Sequence, residues 1–338
     1  KMGAEFAAEC PKIAGRLGLQ GNAEEVCADP YVERLLEGFA FLAARVHLKL
    51  DAEFPRFTQA LLETVYPHFL APTPSMVIAR FQPESSKGEL KEGFTLSRGS
   101  VLHSLTGSRN ETSCEYRTAH EVDLYPLEVR DVHYFTRELN ALDLPASPRG
   151  KAALRVRLAG TVSDPFEEFS LDSIPFYLGG VGRSSMRLYE EIFGHCVGVI
   201  IQQSAKPVKW RIALPPENVT QVGFEDEQKL LPYEDRSFEG YRLLQEYFAF
   251  PHRYMFYRIS GLQRACDQCS EQRMDIFLLF NRAVPELERK VDESHSVPFC
   301  TPAINLFPKK MDPIHVDDRF SEFHVTPDKS RPSDFEVH

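Results

Sequence analysis

Residues 67–74 read PHFLAPTP, and three prolines in eight residues end any helix that reaches them. The same segment separates two kinds of hydrophobic spacing. Before it, Val32, Leu35, Leu36, Phe39, Leu42, Ala43, Val46 and Leu50 recur at steps of three and four, with Arg34, Glu37, Arg45 and Lys49 off the stripe. That spacing places the apolar residues on one face of a helix. Asp29 can cap its free N–H groups, and Pro30 suits the first helical position. A second helix is expected to begin at Phe54-Pro55, to carry Phe57, Leu61 and Val65, and to end near Tyr66-Pro67. Ala4 to Leu17 is expected to be helical as well, broken or restarted at Pro11.

After the prolines the period becomes two. Met76 to Phe81, Val101 to His103, Glu115 to Arg117, Leu127 to Phe135 and Ala153 to Leu158 read as strands. In the last of these, Leu154, Val156 and Leu158 alternate with Arg155 and Arg157, the pattern of a half-buried strand. A turn-rich stretch spans 163–182. Beyond it come a helix over 184–193, strands at 196–201, 210–214, 219–224, 256–259 and 275–280, and a helix over 238–248 stopped by Pro251. The fold class expected is α+β: an N-terminal helical region followed by β-rich, sandwich- or barrel-like domains with short inserted helices. The expected segments are 1–72 (helical), 73–160 (first β domain), 161–262 (α+β) and 263–338 (β-rich). The last ends in an alternating Phe335-Glu336-Val337, so the chain is expected to be part of something longer.

Charge narrows the function. Lysine and arginine number 39 against 49 aspartates and glutamates, a formal charge of −10, which argues against non-specific binding to nucleic acid or anionic membrane. No apolar run is long enough to insert into a bilayer. Seven irregularly spaced cysteines fit reduced thiols better than a disulfide framework.

The usual catalytic signatures are missing: GxSxG, HExxH, GxxxxGK[ST] and the EF-hand loop. Gly179-Gly180-Val181-Gly182 precedes a helix, but its spacing matches no dinucleotide fingerprint, so a tight turn is expected. Cys266 and Cys269 form a lone CxxC without a second pair. Cys300 and His295 are the distant candidates for completing a zinc site, and incidental surface thiols are the preferred reading. His315, Asp317, Asp318 and His324 offer a weak metal-ligand set on an expected loop. The expectation is therefore no metal, no cofactor and no enzyme.

The segment LPYEDRSFEGYRLLQEYFAFPHRY, residues 231–254, poses the sharpest choice. Glu234 and Asp235 beside aromatic residues suggest the acid–base pair of a β-rich hydrolase. Adjacent carboxylates point in different directions, however, and acidic residues at a helix start are favoured by its dipole. Ser237 is the expected N-cap. Phe238, Tyr241, Leu244 and Phe248 lie along one face, widened by Leu243 and Tyr247; they are packing or interface residues, as are Leu35, Phe39, Leu42 and Val46. The aromatic helix is expected to pack inside the chain, covering the strands on either side.

This segment also resembles the TssF family (VasA, ImpG) of the bacterial type VI secretion system. So do EFAAECPKIAGRL (5–17), DPYVERLLEGFAFLAARVHLKL (29–50), LETVYPHFLAPTPSM (62–76), Phe176-Tyr177-Leu178 with Leu188-Tyr189-Glu190, TPAINLFPKK (301–310) and EFHVTPDKSRPSDFEVH (322–338). Cys10 stands where the family often has an aromatic residue, CDQC is not a family feature, and family members are longer at both ends. The resemblance implies a non-enzymatic, cytoplasmic scaffold. In it two TssF copies join one TssG in a wedge with TssK and TssE, wedges surround the VgrG spike beneath the tube and sheath, and TssK docks the assembly on the inner-membrane complex. The resemblance further implies that helical parts form a core bundle from which β-rich domains project.

Overall fold

The computed structural model describes residues 6, 8–16, 30–84, 91–105, 113–137, 139–144, 150–180, 182–233, 237–319, 323, 325–330 and 334–337. They fall into two compact units, Lys1–Leu70 and Ala71–His338.

The first unit is helical. Helix α1 spans Pro11–Arg16. Cys10 N–H donates to Phe6 O at 2.8 Å and Ala14 N–H to Cys10 O at 2.9 Å, so the turn before Pro11 runs on into it. Helix α2 spans Pro30–Val65, 36 residues with Pro55 inside. The restart expected at Phe54-Pro55 does not occur. A proline removes one ladder bond, and here the turns on both sides carry the helix across that gap. Thr58 Oγ1 donates to Pro55 O at 2.9 Å, satisfying a nearby carbonyl. The helix stops where the prolines begin: a 3₁₀ turn, Pro67–Leu70, follows. At 1.5 Å per residue, α2 is about 54 Å long, and no described side chain on it is buried.

The second unit is mainly β. Strands β1 (Met76–Arg80), β2 (Phe94–Leu96), β3 (Val101–His103), β4 (Glu115–Thr118), β5 (Val122–Leu124), β6 (Leu127–Phe135) and β7 (Ala152–Gly160) come first. Then follow β8 (Ser173–Tyr177), helix α3 (Ser184–His195), β9 (Cys196–Gln203), β10 (Arg211–Leu214), β11 (Val219–Gln221) and helix α4 (Glu239–Ala249). The unit closes with β12 (Phe256–Ser260), the short helix α5 (Gln263–Cys266), β13 (Arg273–Phe280), β14 (Val297–Pro298) and β15 (Cys300–Ile304).

Three larger sheets result, ordered β10-β9-β13-β7-β6, β11-β12-β8-β14 and β1-β15-β4-β3, with a β2-β5 ribbon beside them. The first two share one core. Leu154, Val156 and Leu158 of β7 and Ile276, Leu278 and Phe280 of β13 meet Ile174 and Phe176 of β8 and Tyr257 and Ile259 of β12. Leu188 and Ile192 of α3 join them. The other face of the five-stranded sheet is covered too. Phe277 and Leu279 pack with Ala153 and Ile200 and with Leu139, Leu142 and Leu144, which explains why β13 reads as an unbroken apolar run.

Strand pairing crosses the boundaries expected at 160 and 262. β1 pairs with β15, placing Met76 opposite Ile304. β7 and β9 both pair with β13, Val156 and Ile201 flanking Ile276. Alternation tells each strand which face to bury but not which strand to lie beside. β8 was hidden within the turn-rich stretch by Pro175, which stands opposite Arg258 in the sheet.

Candidate functional site

Helix α4 is amphipathic in the opposite sense to the one expected. Its charged residues face inward: Arg242 and Glu246 are 0% exposed. Its aromatic face is outward, with Phe238 70%, Leu244 58% and Phe248 80% exposed, Tyr247 half exposed and Tyr241 close to it. The interior placement expected for this face is therefore corrected.

The cause lies beneath the helix. The Glu246 carboxylate accepts from the backbone N–H groups of Leu230 (3.1 Å) and Leu231 (2.9 Å). It pairs with Arg242 at 3.4 Å and with Arg253. Arg253 Nη2 donates to Gly223 O (2.6 Å) and Gln228 O (3.0 Å). Arg242 reaches Glu239 (2.9 Å) and Asp226 (3.3 Å). Two guanidiniums, one buried carboxylate and the backbone of the 223–231 loop thus bind one another, with Arg242 Nε and Arg253 Nε buried and finding no hydrogen-bond acceptor among the described residues. Burial, with the neighbouring Arg242, draws Arg253 down to about 10, so it remains a cation at neutral pH. Gly223, at φ +108°, is required here: a Cβ would lie 2.8 Å from Arg253 O. Spacing alone puts Arg242 and Glu246 one turn apart on the face opposite the aromatics, but it says nothing of which face is buried.

Close by, His120 is buried, its ring 5.7 Å from that of Phe256. Burial first, then Arg253, Arg258 and Arg98, holds the imidazole neutral down to about pH 3.

Glu234 and Asp235 lie outside the described residues. Ser237 is buried and is not the cap. Phe238 occupies that position without a side-chain cap bond, and Tyr233 OH donates to Ser237 O instead. The other candidates are dispersed. Cys266 and Cys269 are wholly buried, not surface thiols, and burial pushes them up to about 12 and about 11. Cys266 sits in the α5 turn against the β8 sheet core, where its Sγ lies 3.7 Å from Leu171 O. Cys300 is buried, its Sγ 3.6 Å from Pro298 O. His315 and Asp318 are exposed and Asp317 partly so, while His324 lies outside the described residues. Among the described residues, the metal-ligand types that converge are Glu190, Glu191 and His195. A cation is already there: Arg282 Nε donates to Glu191 at 2.7 Å and Nη2 to Glu190 at 2.9 Å, and Arg282 holds Glu190 below its usual range.

His295, a distant zinc candidate in the sequence, belongs instead to a group that spacing did not reveal. His295 Nε2 lies 3.0 Å from Ser184 Oγ, and Nδ1 lies 3.0 Å from Asp292 Oδ1. The residue types are those of an acyl-transfer triad. Their setting is structural. Ser184 is buried at the first residue of α3, Asp292 also accepts from Ser294 N–H, and Gly180 presses on the imidazole. At φ +89°, with a Cβ position only 2.7 Å from His295 Cε1, Gly180 admits no side chain. The glycine turn is fastened to the 292–295 turn through this group.

The uncovered residues of α2 complete the picture: Leu35 (75% exposed), Phe39 (71%), Leu42 and Val46 form an apolar stripe that no described residue of its unit covers. Among the described residues, no helix is long and apolar enough to cross a membrane.

A long helix with a bare apolar stripe and a β unit with a bare aromatic helix suit an assembly. The family model "Type VI secretion system, TssF" matches residues 1–338. The chain belongs to the TssF family. It is 51% identical over 337 residues to the type VI secretion system component TssF1 of Pseudomonas aeruginosa, covering 99% of this chain and 54% of that protein. The chain thus spans about half the length of the TssF relative it matches. It also resembles a chain of the TssK-TssF-TssG baseplate subcomplex solved by cryo-electron microscopy, with TM-score 0.68 and 26% identity. That match covers 88% of this chain and 54% of the other. The mixed helical and β-rich architecture expected of the TssF family is the one observed.

Proposed function

We propose that the chain is a structural part of a type VI secretion baseplate wedge and performs no catalysis. The observation that carries this reading is the uncovered stripe Leu35, Phe39, Leu42 and Val46 on a 36-residue helix. Helices in proteins gain most of their stability from packing an apolar face, so such a helix needs a partner. The complex to which the chain's fold is similar contains TssK and TssG alongside TssF. In the proposed assembly α2 joins a bundle with TssG and a second TssF copy, and TssK and TssE attach to the wedge around the VgrG spike. The assembly sits on the cytoplasmic side of the inner membrane, docked there through the baseplate. Nucleic acid, cofactor and bilayer play no part.

Co-expression of the full-length protein with its cognate TssG and TssK, followed by affinity purification, tests the reading. A stable complex that is lost on Phe39→Asp with Val46→Asp is expected. A wild-type protein that never associates with either would overturn it.

A further inference from the structure

We infer that the outer face of α4 is a second docking surface, separate from the α2 stripe, for an apolar segment of another baseplate subunit flanked by lysine or arginine. This rests on the baseplate reading and adds where, and to what chemistry, the β unit binds.

Three observations converge. First, the face is large and carries two groups of touching rings. Phe238 contacts Tyr241 (ring centroids 5.5 Å apart), Tyr247 contacts Phe248 (5.5 Å), and Phe224 reaches Tyr247 through Tyr254 (4.8 and 6.3 Å). Exposed phenylalanines and tyrosines in contact with one another are the composition of an interface centre, not of ordinary surface. Second, the face is held ready. Arg242, Glu246 and Arg253 lock the underside of the helix to the 223–231 loop, so little ordering remains to oppose docking. Third, the rim is acidic. Glu225, Asp226 and Glu227 are exposed beside Phe224, and Glu239 opens the helix. Asp226 and Glu239 are paired with the buried Arg242, so the rim's outward charge rests on the exposed Glu225 and Glu227.

The rim selects the partner. Two copies meeting through this same face would bring their acidic edges together, which is repulsive. A basic-flanked apolar segment would meet opposite charge and match the aromatic centre.

The test uses the full-length protein co-expressed with its cognate TssG and TssK. A photo-crosslinking phenylalanine is placed at position 248 and, separately, at 238. The proposal expects a crosslink to a TssG or TssK segment with Lys or Arg flanking apolar residues. It also expects Glu225→Lys with Glu227→Lys, and separately Phe248→Ser, to weaken that contact at least about tenfold. Both sets lie on the surface, so thermal unfolding of the free protein should be unchanged; if a variant unfolds, the crosslinks at 238 and 248 decide. Crosslinks confined to the same polypeptide or to a second copy would overturn the proposal. So would an assembled complex with no crosslink from either position, or unaltered affinity after charge reversal. Failure of the wild-type protein to bind TssG and TssK would overturn the baseplate reading itself.

Discussion

Helices α2 and α4 both turn apolar side chains outward, yet they do so for different reasons. On α2 the stripe is bare because no described residue of its own unit packs against it, and no described residue of the helix is buried. On α4 the outer face is bare because the inner face is occupied, with Arg242 and Glu246 at zero exposure and tied to Arg253. In the proposed assembly the first helix draws its tertiary stability from its partner. The second is already fixed and offers a formed surface. On that proposal an exposed apolar face marks two kinds of binding element, and the opposite face tells them apart.

The most severe way to break this contrast is to unfasten α4. Glu246→Ala leaves the buried Arg253 without its carboxylate and Arg242 with only Glu239 and Asp226, and should cost about 3–5 kcal/mol. Urea unfolding would read that loss as a lower midpoint; a loss below about 1 kcal/mol would mean the ion cluster does not hold the helix.

Acid should work on the same region. His120 ordinarily titrates near 6.5 but is held at about 3 in the fold. Between those values the unfolded chain binds a proton that the folded chain refuses. Its contribution is complete above pH 6.5, falls as pH drops through that value, and is spent near pH 3. His120→Asn should flatten the stability difference between pH 7 and pH 4 by about 1–3 kcal/mol. Parallel profiles for both proteins would remove His120 from the account.

Thiol chemistry separates the surface of the β unit from its core. Cys114 is exposed, whereas Cys266, Cys269 and Cys300 are buried with raised thiols. At neutral pH a maleimide should label Cys114 first and leave these three until unfolding, as mass spectrometry would show. The smallest effect is expected on α2. Phe39→Ser should change the stability of the free protein within about 0.5 kcal/mol, since no described residue of its unit covers the ring. A loss of 2 kcal/mol would show that the stripe is already packed.

Much of this was open to reading from the letters. The 3–4 spacing after Asp29-Pro30 marks α2, and alternation marks β7 correctly down to which residues lie inward. The hidden parts have definite causes. β8 carries a proline, and the β1–β15 pair joins segments over 200 residues apart, beyond the reach of any local pattern. At the candidate site the aromatic positions of α4 were visible but their direction was not. Arg253, which decides it, lies beyond the helix in the turn after Pro251.

The chain by itself determined many of the helices and strands, which residues share a face, and an acidic balance that argues against whole classes of ligand. These follow from local sterics and periodicity, which need no partner. Only the tertiary structure decided that α4 buries its ions and shows its aromatics. The same stripe is stable inward or outward, and the choice turns on whether distant groups can satisfy a buried carboxylate. Arg253 and the N–H groups of Leu230 and Leu231 do so here.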